Sequence, residues 1–314
     1  MGIYHRWSKA LKIDTLAKAV LSISSILLVF LFLDTEEIIK NVLQISPLKF
    51  LLAVFLNIGA FYIYALRWST LIHVPKGNYN SSLGKYFFAN YLNFFTPANL
   101  GGDIYRASAF SRPDLRTPQV LIFLIFERVA ALAVFLFFLL LAFLSLDLEV
   151  PKTIISEVLV EHSHYWLVIF FLFILILATI CIFFLKAVKA GRIAKWIYEI
   201  WERFTIKGFL IFFSLTTAGL AVSAGCFDII SSSLDLRVPY TAWLLAFIAA
   251  ELSRWIPVSI QGIGIREATF ASAGAAVMGE PEVFFLVGAA GYAAQSLAVA
   301  GSIFQAQIHY RLAK

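Results

Sequence analysis

Residues 119–146 read QVLIFLIFERVAALAVFLFFLLLAFLSL. About 20 apolar residues cross a hydrocarbon core about 30 Å thick. This run exceeds that length, and only Glu127 and Arg128 interrupt its interior. It is apolar on every face, unlike the alternating strands of about ten residues found in membrane barrels, so it is a helix. A lone charge at the centre of a membrane helix costs about 2.5–3.5 kcal/mol, so such charges turn to a protein interior and pair. One stretch thus predicts both a transmembrane helix and a polar interior for it to face.

The rest of the chain agrees. Of its 314 residues, 61% are hydrophobic and 14% charged, with a mean hydropathy of +0.86. Soluble domains are about half apolar and a quarter charged, which excludes an ordinary water-soluble enzyme. Six full spans are predicted, at 14–33, 47–72, 119–146, 164–186, 208–233 and 283–308. Two more apolar segments, 83–112 and 240–279, are broken by proline and glycine at Pro97, Gly101 and Gly102, and at Pro257, Gly262 and Gly264. Broken helices at membrane depth persist only where protein or a polar cavity satisfies the freed backbone groups. The fold class is therefore all-α and polytopic, a single integral membrane domain over 1–314, with six spans plus two interrupted or re-entrant helical hairpins. An alternative has 240–279 cross fully twice.

Charge orients the chain. With the N-terminus in the cytoplasm, inside segments collect seventeen of the 25 Lys and Arg, Arg67 among them, and outside segments four. The acids divide oppositely, four inside and eleven outside. That asymmetry is the positive-inside pattern, so both termini are expected in the cytoplasm and the protein in the plasma membrane. The net charge of +6 is explained by this orientation, and no nucleic-acid partner is expected. The first apolar run ends at Leu33 without a small-residue cleavage site, as a retained helix would. Cys181 and Cys226 each lie within an apolar run, with no spacing for a disulfide framework or metal clip. The segments 186–207 and 3–13 are basic and suited to the anionic inner leaflet.

Four bases and four acids belong to no loop: Asp103 and Arg106, Glu127 and Arg128, Glu251 and Arg254, Arg266 and Glu267. They predict one buried polar site. Pro97, Gly102 and Arg106 recur as Pro257, Gly262 and Arg266, always 160 residues on. The same offset lays span 47–72 on 207–232 and 119–146 on 279–306. The chain reads as two copies, 14–146 and 164–308, with three crossings per copy inverting the second. Inverted repeats with substrate at midplane discontinuous helices are a common transporter construction.

Each broken hairpin has glycines for close backbone approach, a helix N-terminus with free N–H groups, and an arginine fork one turn on. Gly101, Gly102, Asp103 and Arg106 in the first, with Gly262, Gly264 and Arg266 in the second, form an anion-site constellation. Asn90, Asn93 and Asn99 add amides to the first, Gln261 and Gln295 to the second. The other reading has the arginines only pairing with Asp103, Glu127, Glu251 and Glu267 to hold the hairpins together, and both readings are compatible. The seven tryptophans mostly flank spans, as an interfacial belt would. The five histidines have no metal-site spacing, no nucleophile elbow or P-loop occurs, and no cofactor is expected.

At these motifs the chain resembles the flippase-like family named for the transmembrane region of lysylphosphatidylglycerol synthase. The resemblance rests on Arg67-Trp68, on Asn93-x3-Pro97-x3-Gly101-Gly102-Asp103-x2-Arg106, on Glu127-Arg128, and on Pro257-x4-Gly262-x-Gly264-x-Arg266-Glu267, and it extends over nearly the whole chain. It implies a membrane domain that moves or handles a lipid with a charged head group. Bifunctional relatives add a soluble domain that transfers lysine to phosphatidylglycerol. The sequence stops at Lys314 just past the last span, so lysyl transfer is not expected here.

The expectation is thus a lipid flippase-like transporter whose partner is a membrane lipid with an anionic or zwitterionic head group. Arg106 and Arg266 would bind the phosphate. Glu127, Arg128, Glu251, Arg254 and Glu267 would serve as ion-pair or gating residues. The competing reading is a lipid-binding accessory subunit of a glycosyltransferase or lipid synthase; an intramembrane enzyme lacks an activated nucleophile. Orientation has a direct test in intact cells, with Cys181 and Cys226 replaced by alanine. A membrane-impermeant maleimide is expected to label Glu157→Cys and to leave Lys195→Cys untouched until the cells are opened; the reverse pattern overturns the orientation.

Overall fold

The computed structural model describes residues 35–94, 96, 100–145, 205–234, 236, 238–253, 262–277 and 281–313. Among these residues the structure is helical throughout, apart from one isolated bridge between Arg112 and Leu115. The helices are α1 (Thr35–Val42), α2 (Pro47–Leu71), α3 (Tyr79–Phe94), α4 (Leu100–Ala109), α5 (Thr117–Ser145), α6 (Ile206–Ser231), α7 (Tyr240–Ser253), α8 (Ile265–Val277) and α9 (Pro281–Leu312). Four of the predicted spans appear as helices, with ends at most four residues from those read in the sequence. The segments Pro47–Leu71, Thr117–Phe138, Ile206–Leu234 and Pro281–Leu312 are long and apolar enough to cross a membrane. The protein is an integral membrane protein. Predicted spans 14–33 and 164–186 lie outside the described residues.

In both interrupted segments a helix begins at the glycines the sequence places there. In the first, α3 ends at Phe94 and α4 begins at Leu100. Side chains from before the break cap the new helix: Thr96 Oγ1 accepts from the Gly101 N–H at 3.0 Å and Asn93 Oδ1 from the Gly102 N–H at 2.7 Å. Two donors that a helix start leaves orphaned are thereby satisfied without water. The two helices run back on one another as a hairpin, because Gly102 lies against Ala89 and Asn93 while Tyr105 packs on Phe88. Only glycine permits that approach, since a Cβ at 102 would stand 2.4 Å from the Ala89 carbonyl oxygen. In the second segment, α7 ends at Ser253 and α8 begins at Ile265. Gly262 and Gly264 have φ of 75° and 86°, the left-handed region that suits glycine. Glu267 then accepts from the Gly264 N–H at 2.7 Å, reaching back one turn as in a capping box.

α2 and α6 run antiparallel. Lys49 Nζ donates to the Ser232 carbonyl, Asn57 to the Cys226 sulfur and Arg67 to Thr216 Oγ1, so residues rising along one helix meet residues falling along the other. α9 packs on α2, α3 and α8, and its Gly288 and Gly291 lie under Phe270 and Phe227. Those rings join Trp243, Phe247, Phe284 and Tyr292 in an aromatic core. Trp68 and Trp243 are fully buried, which removes them from the predicted interfacial belt. Leu51, Phe55, Ile125, Phe209, Leu297 and Phe304 are instead exposed large apolar side chains on the long helices, surface that a bilayer solvates. Gly102→Ala is expected to lower stability by about 1–3 kcal/mol through overpacking. Gly59→Ala, with nothing within 4 Å of its added Cβ, should be neutral or stabilise by about 0.5–1 kcal/mol; thermal unfolding in detergent compares the two.

Candidate functional site

Helices α2, α4 and α5 each bring charge to one buried cluster. Glu127, on α5, accepts from Arg67 of α2 on Oε1 and from Arg106 of α4 on Oε2, the latter at 2.8 Å. Arg106 also donates to Asp103 Oδ1, one turn back on α4, and Arg128 of α5 donates to Asp103 Oδ2. The result is a continuous chain, Arg67–Glu127–Arg106–Asp103–Arg128, in which two carboxylates hold three guanidiniums. Both oxygens of each carboxylate are engaged, and the cluster keeps one net positive charge. Glu127, Arg67, Arg106 and Asp103 are at most 9% exposed, while the Arg128 side chain is 40% exposed.

Aromatic faces complete the setting. The Arg106 guanidinium carbon lies 4.7 Å from the Trp68 ring and 5.6 Å from that of Tyr86; Arg67 lies 5.0 Å from Tyr64 and 5.2 Å from Phe212. These are cation–π distances, and they hold each fork while its edge stays available. The Nε–H groups of Arg67 and Arg106 make no hydrogen bond to a described residue. The cluster therefore has more donors than acceptors.

The second arginine of the repeat motif reaches the same place. Arg266, on α8, stacks 3.8 Å from the Tyr292 ring, donates to Gln295 Oε1 at 3.0 Å and lies 3.9 Å from Glu251 of α7. Arg67, Asp103, Arg106, Glu127, Arg128, Glu251, Arg266, Asn93 and Gln295 all line one cavity of about 200 Å³, together with Asn90, Thr216, Ser223 and Ser296. Charges from both broken hairpins thus share one chamber.

Several sequence-predicted residues lie elsewhere. Gly101 and Gly102 direct their N–H groups to Thr96 and Asn93, and Gly264 directs its own to Glu267, so these three glycines shape the hairpins beside the cavity and do not line it. Gly262 likewise stands outside the lining and caps α8, its carbonyl accepting from the Arg266 N–H at 2.9 Å. Glu267, read as a partner of arginine, caps its own helix. Asn99, Arg254 and Gln261, with Pro97 and Pro257, lie outside the described residues. Arg67 was counted as a cytoplasmic loop charge and is instead buried within α2. Its signal was present, because it falls five residues inside the predicted span 47–72.

Residues 16–301 match the family model described as "Lysylphosphatidylglycerol synthase TM region", and the chain belongs to that family. No curated protein and no solved structure matches it. The network makes its own prediction about stability. Glu127→Gln leaves two buried guanidiniums short of countercharge and should cost about 3–5 kcal/mol. Asp114→Asn removes the partner of Arg112 at a carboxylate 61% exposed and should cost about 0–1 kcal/mol. Melting temperatures of the two purified variants give the comparison.

Proposed function

We propose that this chain translocates a phosphate-bearing lipid across the cytoplasmic membrane, with the head group in the cavity and the acyl chains left in the bilayer. The observation that carries this reading is the excess of donors. Four guanidiniums line the cavity against three carboxylates, and both oxygens of Asp103 and of Glu127 are already taken. An entering phosphate meets hydrogen-bond donors in forks that match its oxygens. The size of the cavity agrees, because pockets for whole drug-sized ligands run about 300–1,000 Å³ and about 200 Å³ suits a head group alone.

In this reading Arg106 and Arg266 hold the phosphate and Arg67 assists. Asp103, Glu127 and Glu251 hold the same guanidiniums when no lipid is bound, and an entering phosphate takes up the N–H donors that the carboxylates leave over. The repeat supplies a route for the movement. Helices of 25, 16, 10 and 29 residues from α2 to α5 are followed by 26, 14, 13 and 32 from α6 to α9. The matched pair α2 and α6 run antiparallel, as an inverted repeat requires, and rocking of one copy against the other would open the cavity to each leaflet in turn. With no P-loop in the sequence, movement would be downhill or coupled to an ion.

The test is reconstitution in liposomes that carry a fluorescent phospholipid, with outer-leaflet quenching as the readout. Wild type should expose the inner-leaflet pool, and Arg266→Gln should slow this at least about tenfold, the loss of roughly one charged hydrogen bond. Arg266→Lys should also be slow, because an ammonium keeps the charge and loses the fork. Full activity in both variants would overturn the site. Lipid bound but not moved would favour the accessory-subunit reading.

A further inference from the structure

The seam where α9 meets α2 and α3 holds a titratable group that the cavity does not use. His309 lies on α9, three residues before its end at Leu312, and is 7% exposed. Its ring is stacked on Phe87 of α3, with centroids 5.8 Å apart and planes 3° from parallel, and Tyr62 of α2 meets both rings edge-on. The helices approach closely here, since a Cβ added to Gly84 of α3 would stand 3.3 Å from the Ala306 carbonyl oxygen and 3.4 Å from His309 Cβ. The Tyr62 hydroxyl and His309 Nε2 share a hydrogen bond at 3.0 Å, while His309 Nδ1 is buried and makes none.

Histidine is the side chain whose ordinary proton exchange falls between about pH 5 and 8. In the neutral ring one nitrogen donates and the other accepts; in the cation both donate. The seam has a partner for one nitrogen only. Tyr62 is the titratable group that faces His309 from α2. On α3, Lys85 lies over the Phe110 ring and Tyr86 over the Arg106 side. On α9, Tyr310 is bonded to Tyr105 of α4, and Arg311 is a further cation. No carboxylate among the described residues pairs with His309. A buried charge without a partner is strongly disfavoured, so the packed seam suits the neutral ring, and the cation suits a state in which the seam parts and water reaches Nδ1. The state that takes the proton more readily gains population as pH falls. A proton has a short way in, because Ile308, Tyr310 and Arg311 beside His309 are exposed.

The same two helices reach the cavity. Tyr86, next to Phe87 on α3, lines it, and so does Val299 of α9, about 15 Å along the helix from His309. We infer that His309 is a proton-binding site that gates the cavity: neutral, it locks α9 against α2 and α3, and protonated, it releases that seam. This rests on the rocking of the two copies in the reading above and names what regulates it.

Two readouts test the gate in the full-length protein reconstituted in liposomes, with the same pH on both sides. One is the fluorescent-phospholipid assay, corrected with protein-free liposomes at each pH. The other is maleimide labelling of Ser296→Cys in the cavity, taken relative to the exposed Ser108→Cys, with Cys181 and Cys226 replaced by alanine. Both are expected to rise at least about fivefold from about pH 8 to about pH 5.5. His309→Gln keeps a hydrogen-bonding group for Tyr62 and takes up no proton, and His309→Phe keeps an aromatic ring on Phe87; in each, both readouts should stay within about twofold over that range. A merely structural histidine would alter melting temperature and overall rate and leave the pH profile in place. A flat profile in wild type, or a rise that survives in both variants, would overturn the inference and leave the translocation reading standing. Labelling that rises with acid through His309 while no lipid moves at any pH would uphold the gate and overturn the translocation reading.

Discussion

The Glu127 carboxylate holds two guanidiniums from two other helices, Arg67 from α2 and Arg106 from α4, and the rest of the site depends on it. In the low-dielectric interior of a membrane protein neither sign of charge is tolerable alone. Three helices are therefore tied at one level, and their side chains cannot collapse into an apolar core without stranding a charge. A cavity follows from that constraint. Apolar packing would close it, but the aromatic rings around it, Trp68, Tyr86, Tyr64 and Tyr292, also lie against guanidinium groups.

The broken hairpins serve the same arrangement. A helix running unbroken through α3 and α4 would carry Arg106 away from Glu127. Folding back on itself at the level of Asn93 and Gly102 returns it to the helix that bears its partner. The price of the break is a set of orphaned N–H groups, and the chain meets it with its own side chains, Thr96, Asn93 and Glu267. The helix starts therefore give structure to the hairpins, while the surplus N–H donors lie on the arginines.

Much of this was legible in the residues. Long apolar runs locate α2, α5, α6 and α9, because crossing a bilayer demands a length that no other context does. The breaks were legible too, since proline and paired glycines inside an apolar segment have few other uses. Charges left over after sorting the loops pointed to Asp103, Arg106, Glu127, Arg128, Glu251 and Arg266, all of which line the cavity. Arg67 escaped because it stands beside a tryptophan near the end of a span, where a loop charge and a buried one look alike. Glu267 reaches back to the Gly264 N–H, a contact that adjacency to Arg266 does not foretell, because on a helix neighbours one residue apart diverge. Ser223 and Ser296 carry no distinguishing signal, as serines occur in many membrane helices.

The sequence by itself determined that this chain lies in a membrane, where its long helices run, where two segments break, and which charges must be buried. These follow from transfer free energies, which depend on residue type and spacing alone. Only the tertiary structure decided which charge meets which. Pairing Arg67 with Glu127 joins residues 60 apart in the chain, and bringing Arg266 into the chamber of Arg106 joins residues 160 apart. Such contacts depend on how helices cross, a property of the packed whole that no single segment encodes.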